Sequence, residues 1–451
     1  MINLIKTLGF FTKGHERTLL AKKNIFFSLL LKGGGVLLSF IIIPLTINYV
    51  NPTQYGIWLT LSSIIAWVGF FDIGLGNGLK NKLAESNALG DIEKSKMYVS
   101  TTYAIILLIS LGIFFIFLCI NPFLNWNTIL NVAGSQSGNL NNLSLIVLGI
   151  FCIQFVIQLI NVVLMASHAT AKIGLITFIS QLISLVFIYI LTKTTSGSLL
   201  LLVLALAVIP LIVSLISSIY LFRTKYKSIA PGFYSVNLKQ AKGLLKLGGI
   251  FFIIQIGQLV LHQTNNIIIA QLFGPREVTV FNLASKLFSV VLILFSIILS
   301  PFWSAFTDAY AKGDISWIKA TYNKLQKFLF LVTIFVIALF ILSPFIFKAW
   351  LGNLIQIPSL LSLITGICII LSCWHLLCCF LLNGLSKITL QLYLYLVCFV
   401  VNIPLAVFLG KTIGISGVVL ANAIVYLFMC IFLSIQCHKI LNNKATGIWN
   451  K

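Results

Sequence analysis

The sequence predicts an all-α polytopic membrane protein, with twelve transmembrane helices in two pseudo-symmetric six-helix bundles. Composition is the first reason: 59% of the 451 residues are hydrophobic, 8% are charged and the mean hydropathy is +1.08, whereas charged residues make up about a quarter of soluble domains. The other two reasons are a series of long apolar runs and an internal repeat. Together they exclude a soluble globular protein.

Twelve apolar runs have the length of about 20 residues that a helix needs to cross the hydrocarbon core. The ten-residue alternating segments of a membrane barrel are absent, so each run satisfies its backbone as a helix. The runs lie near residues 25–48, 55–79, 98–120, 143–165, 174–192, 199–222, 247–272, 279–305, 326–347, 358–382, 389–409 and 414–436.

An internal repeat divides these runs into two sets of six. The stretch from Asn51 to Lys96 returns 223 residues later without a gap, which indicates a duplication of half the chain. The matched landmarks are Pro52 with Pro275, Glu85 with Asp308, Gly90-Asp91-Ile92 with Gly313-Asp314-Ile315, and Lys96 with Lys319. The expected domains are an N-terminal segment (1–24), a first bundle (25–222), a basic linker (223–246), a second bundle (247–436) and a tail (437–451).

Basic residues set the predicted orientation. Of the 30 Lys and Arg residues, 24 lie in the termini and in the loops of one side. This bias follows the positive-inside rule and predicts that both termini are cytoplasmic. The net charge of +22 is explained by this bias, so no nucleic-acid partner is expected. Membrane lipids are the expected surroundings.

The loops predict a transporter and not an enzyme. The longest, 121–142 and 223–246, are too short to form a soluble domain. No phosphate-binding glycine loop is present, and the nine cysteines lie in or beside apolar runs without metal-type pairing to histidine. We therefore expect no catalytic residue, no metal and no cofactor.

Polar residues recur on single faces of several predicted helices, as expected if these faces line a central lumen. The alternative is that the amides and hydroxyls only join helices to one another. The predicted lumen residues are Gln158 and Asn161 in the fourth helix, Gln255, Gln258, His262 and Asn265 in the seventh, and Asn282 in the eighth.

Ionisable residues within the runs point to function, because a charge at mid-bilayer is costly unless it meets water or a partner. Lys32 and Lys286 are predicted substrate-binding residues, with snorkelling to the headgroups as the alternative. Asp72 and His375 are candidates for ion coupling. The alternatives are a structural ion pair or helix-end position for Asp72 and simple packing for His375.

Several motifs resemble the Wzx-type O-antigen and polysaccharide flippases. They are Tyr55-Gly56-Ile57-Trp58, the segment Phe71–Leu79 followed by Gly90-Asp91, Leu382–Lys387 and Ile413–Gly417. The resemblance implies a V-shaped fold like that of the MATE exporters and a place in the bacterial inner membrane. It also implies transfer of undecaprenyl-pyrophosphate-linked sugars to the outer leaflet, polysaccharide polymerases as partners, and a role for Lys80, which follows the Asp-Ile-Gly segment.

The charge of the predicted lumen favours a flippase over two alternatives. Lysines suit a pyrophosphate, and Gln and Asn suit sugar hydroxyls, whereas an exporter of cationic drugs would need acids. An ion-coupled small-molecule antiporter stays the first alternative, and a membrane-embedded glycosyl polymerase or ligase the second. The expected mechanism is alternating access, with the two halves rocking about the central site.

Overall fold

The computed structural model describes residues 16–66, 74–132, 140–167, 169–238, 263–352 and 354–450. Helices dominate these ranges, which contain no β-strand. The main helices are α1 (Glu16–Val50), α2 (Pro52–Ala66), α3 (Leu75–Ala88), α4 (Ile92–Ile120), α5 (Leu140–Ile157), α6 (Leu159–Ala166), α7 (Thr170–Thr194), α8 (Leu199–Val203), α9 (Ile209–Arg223), α10 (263–273), α11 (Pro275–Ala311), α12 (Ile315–Leu351), α13 (Ser359–Gly384), α14 (Thr389–Ile413) and α15 (Ile415–Leu441).

The predicted class, an all-α polytopic membrane protein, is confirmed. In the described part of the chain, ten helical stretches are long and apolar enough to cross a membrane. The two other predicted spans, 55–79 and 247–272, lie partly outside the described residues. The count of twelve therefore stays a prediction.

The chain forms two compact units. The first comprises Met1–Asn51, Ile65–Trp126 and Ser135–Phe252, and the second comprises Pro52–Ile64, Asn127–Gly134 and Ile253–Lys451. The first unit has a core around Leu79, Val99 and Val163. The second has a larger core around Phe295, Leu377 and Met429. The division into six-helix bundles at residues 222 and 247 stays a prediction.

The repeated Gly-Asp sequence forms the same turn in both copies. Gly90 and Gly313 adopt left-handed conformations with φ of 71° and 74°, which glycine adopts without a steric penalty. Asp91 then accepts a hydrogen bond from the backbone N–H of Lys94 at 3.0 Å, and Asp314 accepts one from Trp317 at 2.9 Å. Each aspartate thereby caps the helix that follows it.

The start of the repeated stretch also keeps its geometry. Asn51 and Gly274 have φ values of 91° and 89° and directly precede the helix-initiating prolines Pro52 and Pro275. The N–H of each residue donates to the carbonyl four residues earlier at 2.9 Å. Both corners are therefore built alike, 223 residues apart.

The first turns of α2 and α11 cross within the second unit. The Thr279 hydroxyl donates a hydrogen bond to the carbonyl of Pro52 at 2.7 Å. At the repeat-related position, a Cβ on Gly56 would lie closer than 3.0 Å to the carbonyl oxygen of Pro275. The helices can therefore approach this closely only because residue 56 is a glycine.

Candidate functional site

Lys32 lies on α1 with an exposed side chain. The exposed apolar side of α1 is marked by Leu30, Leu37 and Ile41, which are 56%, 68% and 52% exposed. At 3.6 residues per turn, Lys32 points roughly 140° to 180° away from these side chains. The lysine is thus accessible on a different side of the helix from the stripe that suits lipid.

Three glycines follow Lys32, and α7 explains two of them. A Cβ on Gly34 would lie 2.8 Å from Phe178, and one on Gly35 would lie 2.7 Å from the Gln181 side chain, whereas Gly33 has open space beside it. Gly34 and Gly35 therefore allow α1 to pack closely on α7. Gln181, whose Oε1 is buried and accepts no hydrogen bond, was missed by the sequence analysis because its helix carries no polar stripe.

Lys286 lies half-buried on α11, one turn after Asn282. The Asn282 amide donates to Asn266 at 2.7 Å, and Asn266 donates to the Ser63 hydroxyl at 2.6 Å. This chain of hydrogen bonds joins α11, α10 and α2 within the second unit. The prediction from sequence included Asn282 but missed Asn266 and Ser63, since neither lies on the polar stripe of its helix.

Neither Lys32 nor Lys286 forms an ion pair with an acid in the described ranges. The ion pairs found there are Lys82 with Glu85 and Lys94 with Asp91, both in or beside the loop of residues 80–97. A cation without a protein counter-charge can take an anionic group of a ligand.

The other predicted lumen amides lie on two helices. Asn265 on α10 is 4% exposed, and its buried Oδ1 accepts no hydrogen bond. Gln158 and Asn161 are half-buried around the junction of α5 and α6, and one turn earlier the buried Oε1 of Gln154 also lacks a donor. Unsatisfied acceptors are costly in an apolar interior, so these atoms are places for water or a ligand hydroxyl.

His375 on α13 lies in a closed aromatic and thiol environment. It is 6% exposed, and its Nε2 lies 3.3 Å from the Cys379 Sγ and 3.4 Å from the Tyr395 hydroxyl. The rings of Tyr395 and Tyr426 are 5.7 and 5.4 Å away between centroids. The structure thus surrounds this histidine with side chains that can donate or accept a proton.

Four of the predicted residues lie outside the described ranges. They are Asp72, Gln255, Gln258 and His262. Lys80, which the family resemblance singled out, is exposed on α3. Lys32 and Gln181 lie together in the first unit, whereas Lys286, Asn265, Asn282 and His375 belong to the second.

Sequence comparison identifies relatives that are named for polysaccharide export. The model of the family described as polysaccharide biosynthesis protein matches residues 21–306, and that of the MatE family matches residues 251–408. A Yersinia pseudotuberculosis protein named for O-antigen export is 21% identical over 62% of this chain and 63% of its own length. A Salmonella typhi protein named as an O-antigen transporter is 21% identical over 68% and 69%. The chain thus spans just under two thirds of the first relative and slightly more of the second.

Solved structures of MATE transporters share the fold. An inward-facing multidrug resistance MATE family transporter of the MOP superfamily aligns with a TM-score of 0.73 and 15% identity, covering 91% of this chain and 96% of the transporter. The outward-facing form of such a transporter gives 0.63 and 14%, covering 94% and 96%. The predicted MATE-like fold is confirmed. By the matched family model, the chain belongs to the polysaccharide biosynthesis protein family, within the MOP superfamily of transporters.

Proposed function

We propose that this protein flips an undecaprenyl-pyrophosphate-linked oligosaccharide, an O-antigen or capsule repeat unit, from the cytoplasmic to the outer leaflet. The observation that carries the proposal is Lys32, a cation within an apolar helix that is exposed away from the apolar side and unpaired with any acid of the described residues. A pyrophosphate supplies the missing charge. The names of the relatives support the same substrate class.

The lysines and the amides divide the work of recognition. Lys32 and Lys286 neutralise the phosphates, and Gln158, Asn161, Asn265 and Asn282 bind sugar hydroxyls, with Gln255, Gln258 and His262 on the same predicted stripe. Movement occurs by alternating access, as the internal repeat predicts. Asp72 or His375 couples this movement to an ion, and a polysaccharide polymerase uses the product.

Transport by Lys32 variants in proteoliposomes tests the proposal. Lys32→Ala should abolish or severely reduce flipping of lipid-linked oligosaccharide, because no other charge replaces the phosphate partner. Lys32→Arg should keep a good part of the activity, since it keeps the charge in a different shape. Lys193→Ala is the matched control, because this exposed lysine lies at the other end of a span in the same unit.

Two outcomes would overturn the proposal. If Lys32→Ala flips substrate at the parental rate, with equal amounts of folded protein, Lys32 only snorkels to the headgroups. If the parent protein instead exports cationic drugs and moves no lipid-linked glycan, it is an antiporter. Sugar-chain elongation by the detergent-solubilised protein would point to a polymerase or ligase.

A further inference from the structure

An ordered strap follows α9 in the first unit. We define the strap as residues 224–238, which include two short 3₁₀ turns, Lys227–Ile229 and Phe233–Ser235. The N–H of Gly232 donates to the Ser100 hydroxyl at 3.1 Å, and the N–H of Asn237 donates to the Thr101 hydroxyl at 2.9 Å. Both hydroxyl-bearing residues are buried. These bonds hold the strap against the beginning of α4.

The strap divides its large side chains between the core and the outside. Tyr226 and Ile229 are buried in the core of the first unit. Phe233 and Tyr234, at the tip, are 92% and 107% exposed, and Leu238 is 60% exposed. A strap that is fixed at both sides of its tip and presents consecutive exposed aromatic rings is typical of a surface that meets another phase or a partner.

The tip lies at the level where the membrane begins. Ser100 and Thr101, which hold the strap, belong to the first turn of the apolar run 98–120. One turn earlier, a Cβ on Gly232 would lie 3.7 Å from the Cε of Lys96, so the strap lies where α4 changes from charged to apolar. Aromatic side chains concentrate at this depth in membrane proteins because the rings are partly apolar and partly polar.

The charge around the tip favours anionic lipid. The segment 223–238 carries Arg223, Lys225 and Lys227 and no acid. A groove of about 530 Å³ beside Tyr234 is lined by Lys94 and Lys96, and by one carboxylate, Glu93. The nearby Asp91 is already paired with Lys94 at 2.8 Å. Basic residues next to a span attract the anionic headgroups of the cytoplasmic leaflet.

We propose that the strap is a lipid-docking surface, in which Phe233 and Tyr234 insert into the headgroup region of an anionic leaflet while the neighbouring basic residues bind its phosphates. This anchoring is separate from the flipping of a substrate. It would fix the cytoplasmic end of α9 and the start of α4 at the membrane surface.

Site-directed spin labelling of the full chain in lipid nanodiscs tests the proposal. Cys119→Ser removes the exposed native thiol of the described residues, and Tyr234→Cys then carries the label. The control label is Lys312→Cys, in the polar turn before α12, about ten residues ahead of the apolar run 326–347 and hence about 15 Å from it. Accessibility to oxygen, which dissolves in lipid, is compared with accessibility to an aqueous nickel chelate.

In nanodiscs that contain phosphatidylglycerol, the ratio of oxygen to nickel accessibility should be several-fold higher at residue 234 than at residue 312. A label on Phe233→Cys should give the same result, which guards against a local effect of one substitution. Replacing both Lys225 and Lys227 with Gln should lower the ratio at residue 234 towards its value in pure phosphatidylcholine discs. Equal ratios at residues 234 and 312 in anionic discs, with the protein folded, would overturn the proposal and leave the tip for a soluble partner.

Discussion

The crossing of α2 and α11 makes Gly56 the position where a single methyl group should have the largest effect. A Cβ at Gly56 would lie closer than 3.0 Å to the Pro275 carbonyl, and both groups belong to helical backbone that cannot rotate away as a side chain would. Gly56→Ala must therefore push the helices apart. This separation also breaks the hydrogen bond from Thr279 to Pro52, which is 2.7 Å long.

The expected cost combines two contributions. Overpacking a closely packed contact costs about 1 to 3 kcal/mol, and losing the Thr279 hydrogen bond costs about 0.5 to 1.5 kcal/mol. Together, Gly56→Ala should lower the free energy of unfolding by about 2 to 4 kcal/mol. Thr279→Val removes the hydrogen bond but keeps the shape, so its effect should stay at the lower end, about 0.5 to 1.5 kcal/mol.

Thermal unfolding of the purified protein in detergent measures these effects. Gly112→Ala is the matched control, because Gly112 lies within helix α4 and a Cβ there would have no atom within 4 Å. We expect the melting temperature to fall most for Gly56→Ala, less for Thr279→Val and not at all for Gly112→Ala. If Gly56→Ala melted with the control, the close crossing of α2 and α11 would be refuted.

Three further predictions concern the caps and the candidate site. Hydrogen bonds from Lys94 and from the Trp317 N–H lower the pKa values of Asp91 and Asp314, respectively, so their stabilisation is complete above the usual carboxyl pKa and is lost as the pH falls through the lowered values; Asp91→Asn and Asp314→Asn should thus lower the melting temperature near neutral pH, and a constant deficit down to strongly acidic pH would contradict this. His375→Gln should flatten the pH dependence of transport while Tyr395→Phe keeps it, and a parental pH profile for His375→Gln would leave His375 as a packing residue. Lys286→Ala should reduce flipping less than the corresponding change at Lys32, as measured with matched protein amounts, and unchanged flipping would remove Lys286 from the site.

Much of the fold could be predicted from sequence because membrane helices depend on local properties. Hydropathy over about 20 residues identifies a span without reference to its neighbours. Turn geometry is also local: the repeated Gly-Asp pair predicts a left-handed residue followed by a cap, and Gly90 and Gly313 have these conformations. The repeat at an offset of 223 residues thus appears in the coordinates as matching dihedral angles.

The partners of polar residues could not be predicted from sequence, because they depend on which helices touch. Asn282 was predicted to face a lumen, and in the structure its amide donates to Asn266, which donates to Ser63 on α2. Helical periodicity gives the face of one helix but not the identity of the helix packed against it. For the same reason, the sequence alone could not distinguish the contacts of Gly34 and Gly35 with α7 from space left for a substrate.

The repeat has diverged at the place where its two copies meet. Positions 56 and 279 are equivalent at the offset of 223, and each lies against the carbonyl of the other copy's proline. A threonine at 279 has room to donate its hydroxyl, whereas residue 56 leaves no room for any side chain, so the crossing is symmetric in position but not in chemistry. Restoring the sequence symmetry should therefore be harmful: Gly56→Thr should destabilise the protein more than Thr279→Gly, which only removes a hydrogen bond and a few contacts. Equal melting temperatures for the two variants would mean that the crossing tolerates a threonine on both sides, and that the asymmetry has no structural cause.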